Sequence, residues 1–429
     1  MNNYYLVPQR LTPLNFEVDL PGSKSITNRV LLIAALADRP VKLRNVLFSG
    51  DGLSFMDSLR KLGFRLEINE AAKQVTVYGL GGMIPNKKAE LNVGSAGTAA
   101  RFLTAMLALS DGSFLINASL QMQSRPMKPL IEGLTRLGAK FEFLGERDKL
   151  PYRIKGTDFR DNQVVLQANI SSQFLSALLL SGYKGPEQLE IIIDGEVAAK
   201  PYVDMTLKIM SDFGIDVENH SYQRFVIPKG QYYHGRDYTI EPDVSNAAYF
   251  LAMAALTGGS VLVKDVRLDS LQGDIKFLNI LKQLGCEIEE RDEGIFLRGP
   301  VGGRFPGIDA DLGDTPDQTM TLAALAPFAD GPTRIRNVGI IKYHESNRIA
   351  AIITELAKLG IHSEETDDGL IIYPGQPQEA AIETYDDHRM AMAFSLIGLK
   401  APGIKIMNPE CTAKTFKDYF QVFDEIVNL

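Results

Sequence analysis

One helix-like stretch returns six times along this chain. Residues 25–36 (SITNRVLLIAAL), 97–107 (GTAARFLTAML), 171–180 (SSQFLSALLL), 245–255 (SNAAYFLAMAA), 317–326 (DQTMTLAALA) and 388–397 (HRMAMAFSLI) each place polar or small residues first and a Leu/Phe/Ala/Met-rich run after. The copies stand about 70–76 residues apart, a fixed period that marks a repeated structural unit. A second marker keeps step: Leu62-Gly63, Leu137-Gly138, Phe213-Gly214, Leu284-Gly285 and Leu359-Gly360 each close a second amphipathic helix. In the first unit the pattern predicts strands over 15–20 and 41–46, helices over 25–36 and 54–62, and a hairpin-like pair over 65–69 and 74–78. Strands and helices alternating through short turns indicate an α/β fold.

A chain of 429 residues exceeds one ordinary core, so six units divide into two domains of three. The expected lower domain is 1–21 plus 242–429 and the upper domain 22–241, with a polar boundary near 235–242. Linkers near 19–22 and 236–243, side by side, would make a hinge. A short strand at 5–7 is expected to cross back to the C-terminal half. Apolar residues make up 45% and charged residues 23%, as in soluble globular proteins. No apolar run approaches the ~20 residues that span a bilayer. The opening MNNYYLVPQRL lacks a basic stretch followed by an apolar one, so no secretory signal is expected. Cys286 and Cys411 give no disulfide framework, which suits a reducing cytoplasm. Five histidines without HxH or HxxxH spacing make a metal site an unlooked-for feature. A net charge of −8 argues against nucleic-acid and membrane partners. It leaves small anions open, because basic residues can cluster locally.

The polar helix starts carry the chemistry. In LPGSKSITNR, Lys24 and Ser25 sit at a helix mouth, where unpaired backbone N–H groups favour an anion. Arg29 follows Ser25 by four, on the same helix face. In GSAGTAAR, Gly97 lets backbone approach a ligand closely, and Arg101 follows by four. Arg125 precedes Pro126 in the next loop. Ser171, Ser172 and Gln173 head the third copy and can cap a helix or bind phosphate oxygens. The fifth unit holds Asp314, Asp317 and the run KYHESNR, in which Asp317 and Glu345 are candidates for paired proton transfer. Arg348 lies three past Glu345, which by itself reads as a surface ion pair. In DDHR, one of Asp386 and Asp387 reads as a helix cap with His388 structural, Arg389 follows, and Lys414 comes later in CTAKTF. Together these residues form a focused cationic pocket suited to phosphate and carboxylate.

The motifs LPGSKSITNR, GSAGTAAR, SRP, ISSQF, KYHESNR, DDHRMAMAF and CTAKTF, in that order, resemble those of the enolpyruvyl transferases, most of all the members acting on shikimate 3-phosphate. The resemblance implies an inside-out α/β barrel fold, each domain built of three βαβαββ units, closing around its substrates. It implies transfer of the enolpyruvyl group of phosphoenolpyruvate to the 5-hydroxyl of shikimate 3-phosphate, with no cofactor, in a monomer that glyphosate would inhibit. By matching position, Lys24, Gly97, Arg125, Gln173, Arg348, Arg389 and Lys414 would hold phosphoenolpyruvate. Lys24, Ser25, Arg29, Ser171, Ser172, Gln173, Tyr202, Asp317 and His344 would hold shikimate 3-phosphate. Asp317, Glu345 and Lys24 would be catalytic. Five positions depart from the family's common residues: Ser95 for Asn, Phe102 for Pro, Ala199 for Ser, Ile340 for Asn and His344 for Lys. A relative acting on UDP-N-acetylglucosamine carries a reactive Cys in the loop where this chain reads QMQSRP, without a Cys. A non-catalytic phospho-ligand scaffold is the other reading, opposed by the presence of both carboxylates.

Overall fold

The polar-then-apolar stretches form helices in every repeat: Lys24–Leu36, Gly97–Ala108, Ser172–Gly182, Val244–Thr257, Thr319–Leu325 and His388–Gly398. The computed structural model describes residues 3–157, 159–185 and 187–429, so the first two residues of the expected lower domain lie outside the described residues. These six helices are buried nearly all round; every residue from Ile26 to Leu36 is inaccessible, the mark of a helix interior to its unit. The second helices bury one face only. Lys128–Arg136 sinks Pro129, Leu130, Ile131, Gly133 and Leu134 and turns Lys128, Glu132 and Arg136 outward. Each Leu-Gly or Phe-Gly pair ends such a helix with its glycine at positive φ, +92° at Gly63 and +73° at Gly360, where a side chain would be strained.

Each repeat also contributes a small mixed sheet. Lys88–Asn92 runs parallel to Ser113–Asn117, which pairs antiparallel with Tyr152–Lys155, and Lys140–Phe143 closes the edge. The third sheet repeats this order with Gln163–Gln167, Leu189–Asp194, Arg224–Ile227 and Glu218–His220. Along Gln163–Gln167 only Val164 and Leu166 are buried, so the sheet covers the core with one face. The sixth sheet has three strands: Ala381–Ile382, Lys405–Met407 and, antiparallel to the latter, Tyr4–Leu6 from the chain's start.

The chain divides into two compact units, Gly22–Ile240 and Met1–Pro21 with Glu241–Leu429, here termed the inserted and terminal units. The strand expected over 15–20 forms as Asn15–Val18, but it does not pair within the first repeat. It runs parallel to Ser260–Lys264 in the terminal unit. Tyr238–Thr239 takes the corresponding place beside Pro40–Arg44 in the inserted unit. The two strands thus exchange sheets where the chain passes from one unit to the other.

Candidate active site

In the inserted unit the helix starts are tied to one another by polar side chains. Ser23 caps Lys24–Leu36, its Oγ accepting from the Ile26 N–H at 3.4 Å. The ammonium of Lys24 lies 3.9 Å from Asp51 at the next helix start. Arg29 is 1% exposed, and its guanidinium donates to Thr206 Oγ1 at 2.8 Å, to the carbonyls of Ser25 and Tyr202 at 2.8 and 3.1 Å, and to Ser176 Oγ at 3.4 Å. Burial pulls it down to about 10. Phe102 packs beneath it, 5.3 Å from Arg29 Cζ to the ring centre. Asn28 Nδ2 donates to Thr98 Oγ1 at 2.5 Å and joins the first two repeats.

Arg101 fixes the second and third repeats. Its Nη1 donates to Gln173 Oε1 at 2.6 Å and its Nη2 to the Pro126 carbonyl at 3.1 Å, beside Arg125. A Cβ at Gly97 would stand 2.7 Å from Arg125 Nη1 and 3.0 Å from Arg101 Nη1, so glycine is what admits both guanidinium groups. Ser171 caps Ser172–Gly182 by accepting from the Gln173 N–H at 3.3 Å. Tyr202 lies in the first turn of Lys200–Asp212, which Ala199 enters in a left-handed conformation. Lys24, Ser25, Gly97, Ser171, Ser172, Gln173 and Tyr202 therefore stand at helix starts of one unit, with Arg29 a turn further along its helix and Arg125 in a loop between two helices.

The terminal unit gathers Asp317, His344, Glu345, Arg348, Arg389 and Lys414. Arg348, fully buried, is the centre. Its Nε and Nη2 fork onto Asp387 at 2.8 and 3.1 Å, its Nη1 donates to Asp317 Oδ1 at 2.8 Å, and its Nη2 also reaches Glu345 Oε2 at 2.9 Å. Glu345–Arg348 is thus a buried pair, with side chains 8% and 1% exposed, where spacing alone suggested a surface one. Arg389 donates to Asp317 Oδ2 at 2.8 Å and to Tyr249 Oη at 3.3 Å. Lys414 Nζ lies 3.3 Å from Glu345 Oε1. His344 Nδ1 sits 3.0 Å from Arg348 Nη1 and 3.4 Å from Asp317 Oδ1.

Within this unit's cluster three cations face three carboxylates, Asp317, Glu345 and Asp387. Burial alone would raise the Asp317 carboxyl, but Arg389, His344 and Arg348 outweigh it and hold it well below the usual range. Burial also lowers the His344 imidazole, and Arg348 adds to this against the pull of Asp317 and Glu345. Of the two adjacent acids, Asp387 caps His388–Gly398 and also grips Arg348. Asp314 belongs elsewhere, in an exposed pair with Lys276 at 2.6 Å. Asp274 carries no sequence signal at all. It is buried, receives a hydrogen bond from Ser245 Oγ, and is pushed up to about 6 by burial and by the charge of Asp317.

The family model described as EPSP synthase (3-phosphoshikimate 1-carboxyvinyltransferase) matches residues 8–423. The chain is 46% identical over 421 residues to 3-phosphoshikimate 1-carboxyvinyltransferase of Trichormus variabilis, covering 98% of each. It is 43% identical over 418 residues to the protein of the same name from Vibrio campbellii, covering 97% of each. Among solved structures it superposes on EPSP synthase of Acinetobacter baumannii with a TM-score of 0.79 and 25% identity, over 100% of this chain and 98% of the other. With a match that runs nearly end to end and relatives of this similarity, the chain belongs to the EPSP synthase (3-phosphoshikimate 1-carboxyvinyltransferase) family.

Proposed function

We propose that this chain transfers the enolpyruvyl group of phosphoenolpyruvate to the 5-hydroxyl of shikimate 3-phosphate and releases phosphate, a step towards chorismate and the aromatic amino acids. The Arg348 cluster carries the reading: Asp317 and Glu345 share one buried guanidinium, with Arg389 and Lys414 on their other oxygens. The hydroxyl oxygen attacks C2 of phosphoenolpyruvate while C3 takes a proton. The tetrahedral ketal phosphate then loses phosphate and a methyl proton. Such a sequence needs one group that gives and recovers a proton at carbon, and another that relieves the hydroxyl. Glu345 serves C3 and Asp317 receives the hydroxyl proton.

In this reading Arg348, Arg389 and Lys414, with Lys24, Gly97, Arg125 and Gln173, bind phosphoenolpyruvate and stabilise charge as it moves to the departing phosphate. Lys24, Ser25, Arg29, Ser171, Ser172, Gln173, Tyr202, Asp317 and His344 bind shikimate 3-phosphate. The chain crosses between units after Pro21 and after Ile240, and these crossings would serve as the hinge that excludes water once both substrates are bound. A cytoplasmic monomer without cofactor suffices, and glyphosate, an analogue of phosphoenolpyruvate, is expected to compete for its site.

Transfer to UDP-N-acetylglucosamine is the nearer rival. Burial raises both thiols, Cys286 and Cys411, to about 12, which leaves neither as a ready nucleophile. The test is phosphate release with phosphoenolpyruvate and each acceptor. Release with shikimate 3-phosphate, and neither with UDP-N-acetylglucosamine nor with either substrate alone, is expected. Calorimetric binding of both substrates without any turnover would favour a binding scaffold instead.

A further inference from the structure

We propose that Tyr249 is a positioning residue for Arg389: its buried hydroxyl aims the guanidinium at the phosphoenolpyruvate site and so sets affinity for that substrate. The inference rests on the enolpyruvyl-transfer reading and adds to it a residue that acts through Arg389.

The repeat marks the position. Tyr249 is the fifth residue of its copy, four past Ser245. The first two copies carry Arg29 there, four past Ser25, and Arg101, four past Gly97. Both arginines reach from their own helix into the third repeat, Arg29 to Ser176, Tyr202 and Thr206, and Arg101 to Gln173. In the terminal unit the roles are reversed. The guanidinium comes from the sixth repeat, at the start of His388–Gly398, and the fifth residue of the fourth repeat receives it. Arg389 Nη1 donates to Tyr249 Oη at 3.3 Å and its Nη2 to Asp317 Oδ2 at 2.8 Å.

Two anchors on different nitrogens fix the plane of a guanidinium, whereas one lets it swing about the remaining bond. The kind of anchor matters as much. Arg348 meets the carboxylates of Asp317, Glu345 and Asp387, which answer its charge. A phenol accepts the hydrogen bond and cancels no charge, so Arg389 is held and stays attractive to an incoming anion. Burial pushes the Tyr249 hydroxyl up to about 12, against the pull of Arg389 and Arg348, so it remains neutral near physiological pH. The ring is itself immobilised. It meets Tyr419 edge-on with centres 6.1 Å apart, and Tyr419 Oη donates at 3.1 Å to the Met392 carbonyl, on the helix that carries Arg389. Packing alone would be served by phenylalanine; the hydroxyl is what reaches the site.

The test is Tyr249→Phe in phosphate-release kinetics with phosphoenolpyruvate and shikimate 3-phosphate, alone and combined with Arg389→Lys. In the single variant KM for phosphoenolpyruvate should rise on the order of tenfold, with kcat within about threefold and KM for shikimate 3-phosphate within about twofold. In the Arg389→Lys background the same change should alter KM for phosphoenolpyruvate by no more than about twofold, because the group it aims is already gone. Wild-type KM in the single variant overturns the proposal. So does an equal tenfold loss with and without Arg389→Lys, or a rise in both KM values together, which would mark a general loosening of the unit. A Tyr249→Phe protein that circular dichroism finds unfolded also overturns it, since the hydroxyl would then be holding the core. Wild type that releases no phosphate from the two substrates defeats the enolpyruvyl-transfer reading, and this proposal with it; an active wild type beside an unaffected variant defeats this proposal alone.

Discussion

Arg348 holds Asp317, Glu345 and Asp387 at once, and this makes each carboxylate's behaviour a property of the group. Glu345→Gln keeps the shape and one acceptor for Arg348 but cannot exchange a proton with carbon. Its kcat should fall on the order of 10²–10³-fold with KM changed only a few-fold, in steady-state assays at saturating shikimate 3-phosphate. Gly97→Ala would drive a methyl group to 2.7 Å from Arg125 Nη1 and displace it. KM for phosphoenolpyruvate should rise several-fold and glyphosate inhibition should weaken, since both anions would meet the same displaced guanidinium. An inhibition curve unchanged from wild type would remove Arg125 from the anion site. Most of these residues were legible because the runs KYHESNR and DDHR hold the charged groups together. Their burial was not. The partner that takes Arg348 out of water, Asp387, lies 39 residues away, and no local spacing reports it.

Helices announce themselves through composition, and their starts through polar punctuation. The first helices are apolar on all sides because they lie inside their units, and the second helices are amphipathic because they do not. What punctuation could not reveal is that the fifth copy begins with a tighter turn, Pro316–Gln318, before Thr319–Leu325, which places Asp317 on that turn. Asp274 is equally silent, a single acid in the turn Gly273–Lys276 that ties back to the start of Val244–Thr257 through Ser245. Its carboxyl moves from 3.8 to about 6 on folding. Between those values the native state keeps a proton that the unfolded chain releases, so stability falls as pH rises through this window and remains lower above it. Asp274→Asn should abolish the loss, stabilising the protein on the order of 2 kcal/mol at pH 8 and not at pH 4. Urea unfolding at the two pH values would detect this; equal changes at both would mean that Asp274 does not titrate in the window.

At the scale of the molecule, period and length implied two triplets of repeats, but the exchange of strands between them left no trace in the sequence. Asn15–Val18 and Ser260–Lys264 pair across 245 residues, and one alternating strand looks the same whichever sheet it enters. Residues 22–240 contain every strand their sheets use, so expressed alone they should unfold cooperatively by circular dichroism. Residues 241–429 alone lack Tyr4–Leu6 and Asn15–Val18, leave two sheet edges open, and should aggregate on a sizing column. Cooperative, monomeric behaviour of that second fragment would contradict this. The same exchange orders events on the ribosome. Asn15–Val18 and Tyr4–Leu6 emerge early yet cannot pair until Ser260–Lys264 and then Lys405–Met407 have been made. Vectorial synthesis therefore supplies every strand of residues 22–240 before the sheets of the terminal unit can close, with Tyr4–Leu6 and Asn15–Val18 waiting for their partners in the meantime.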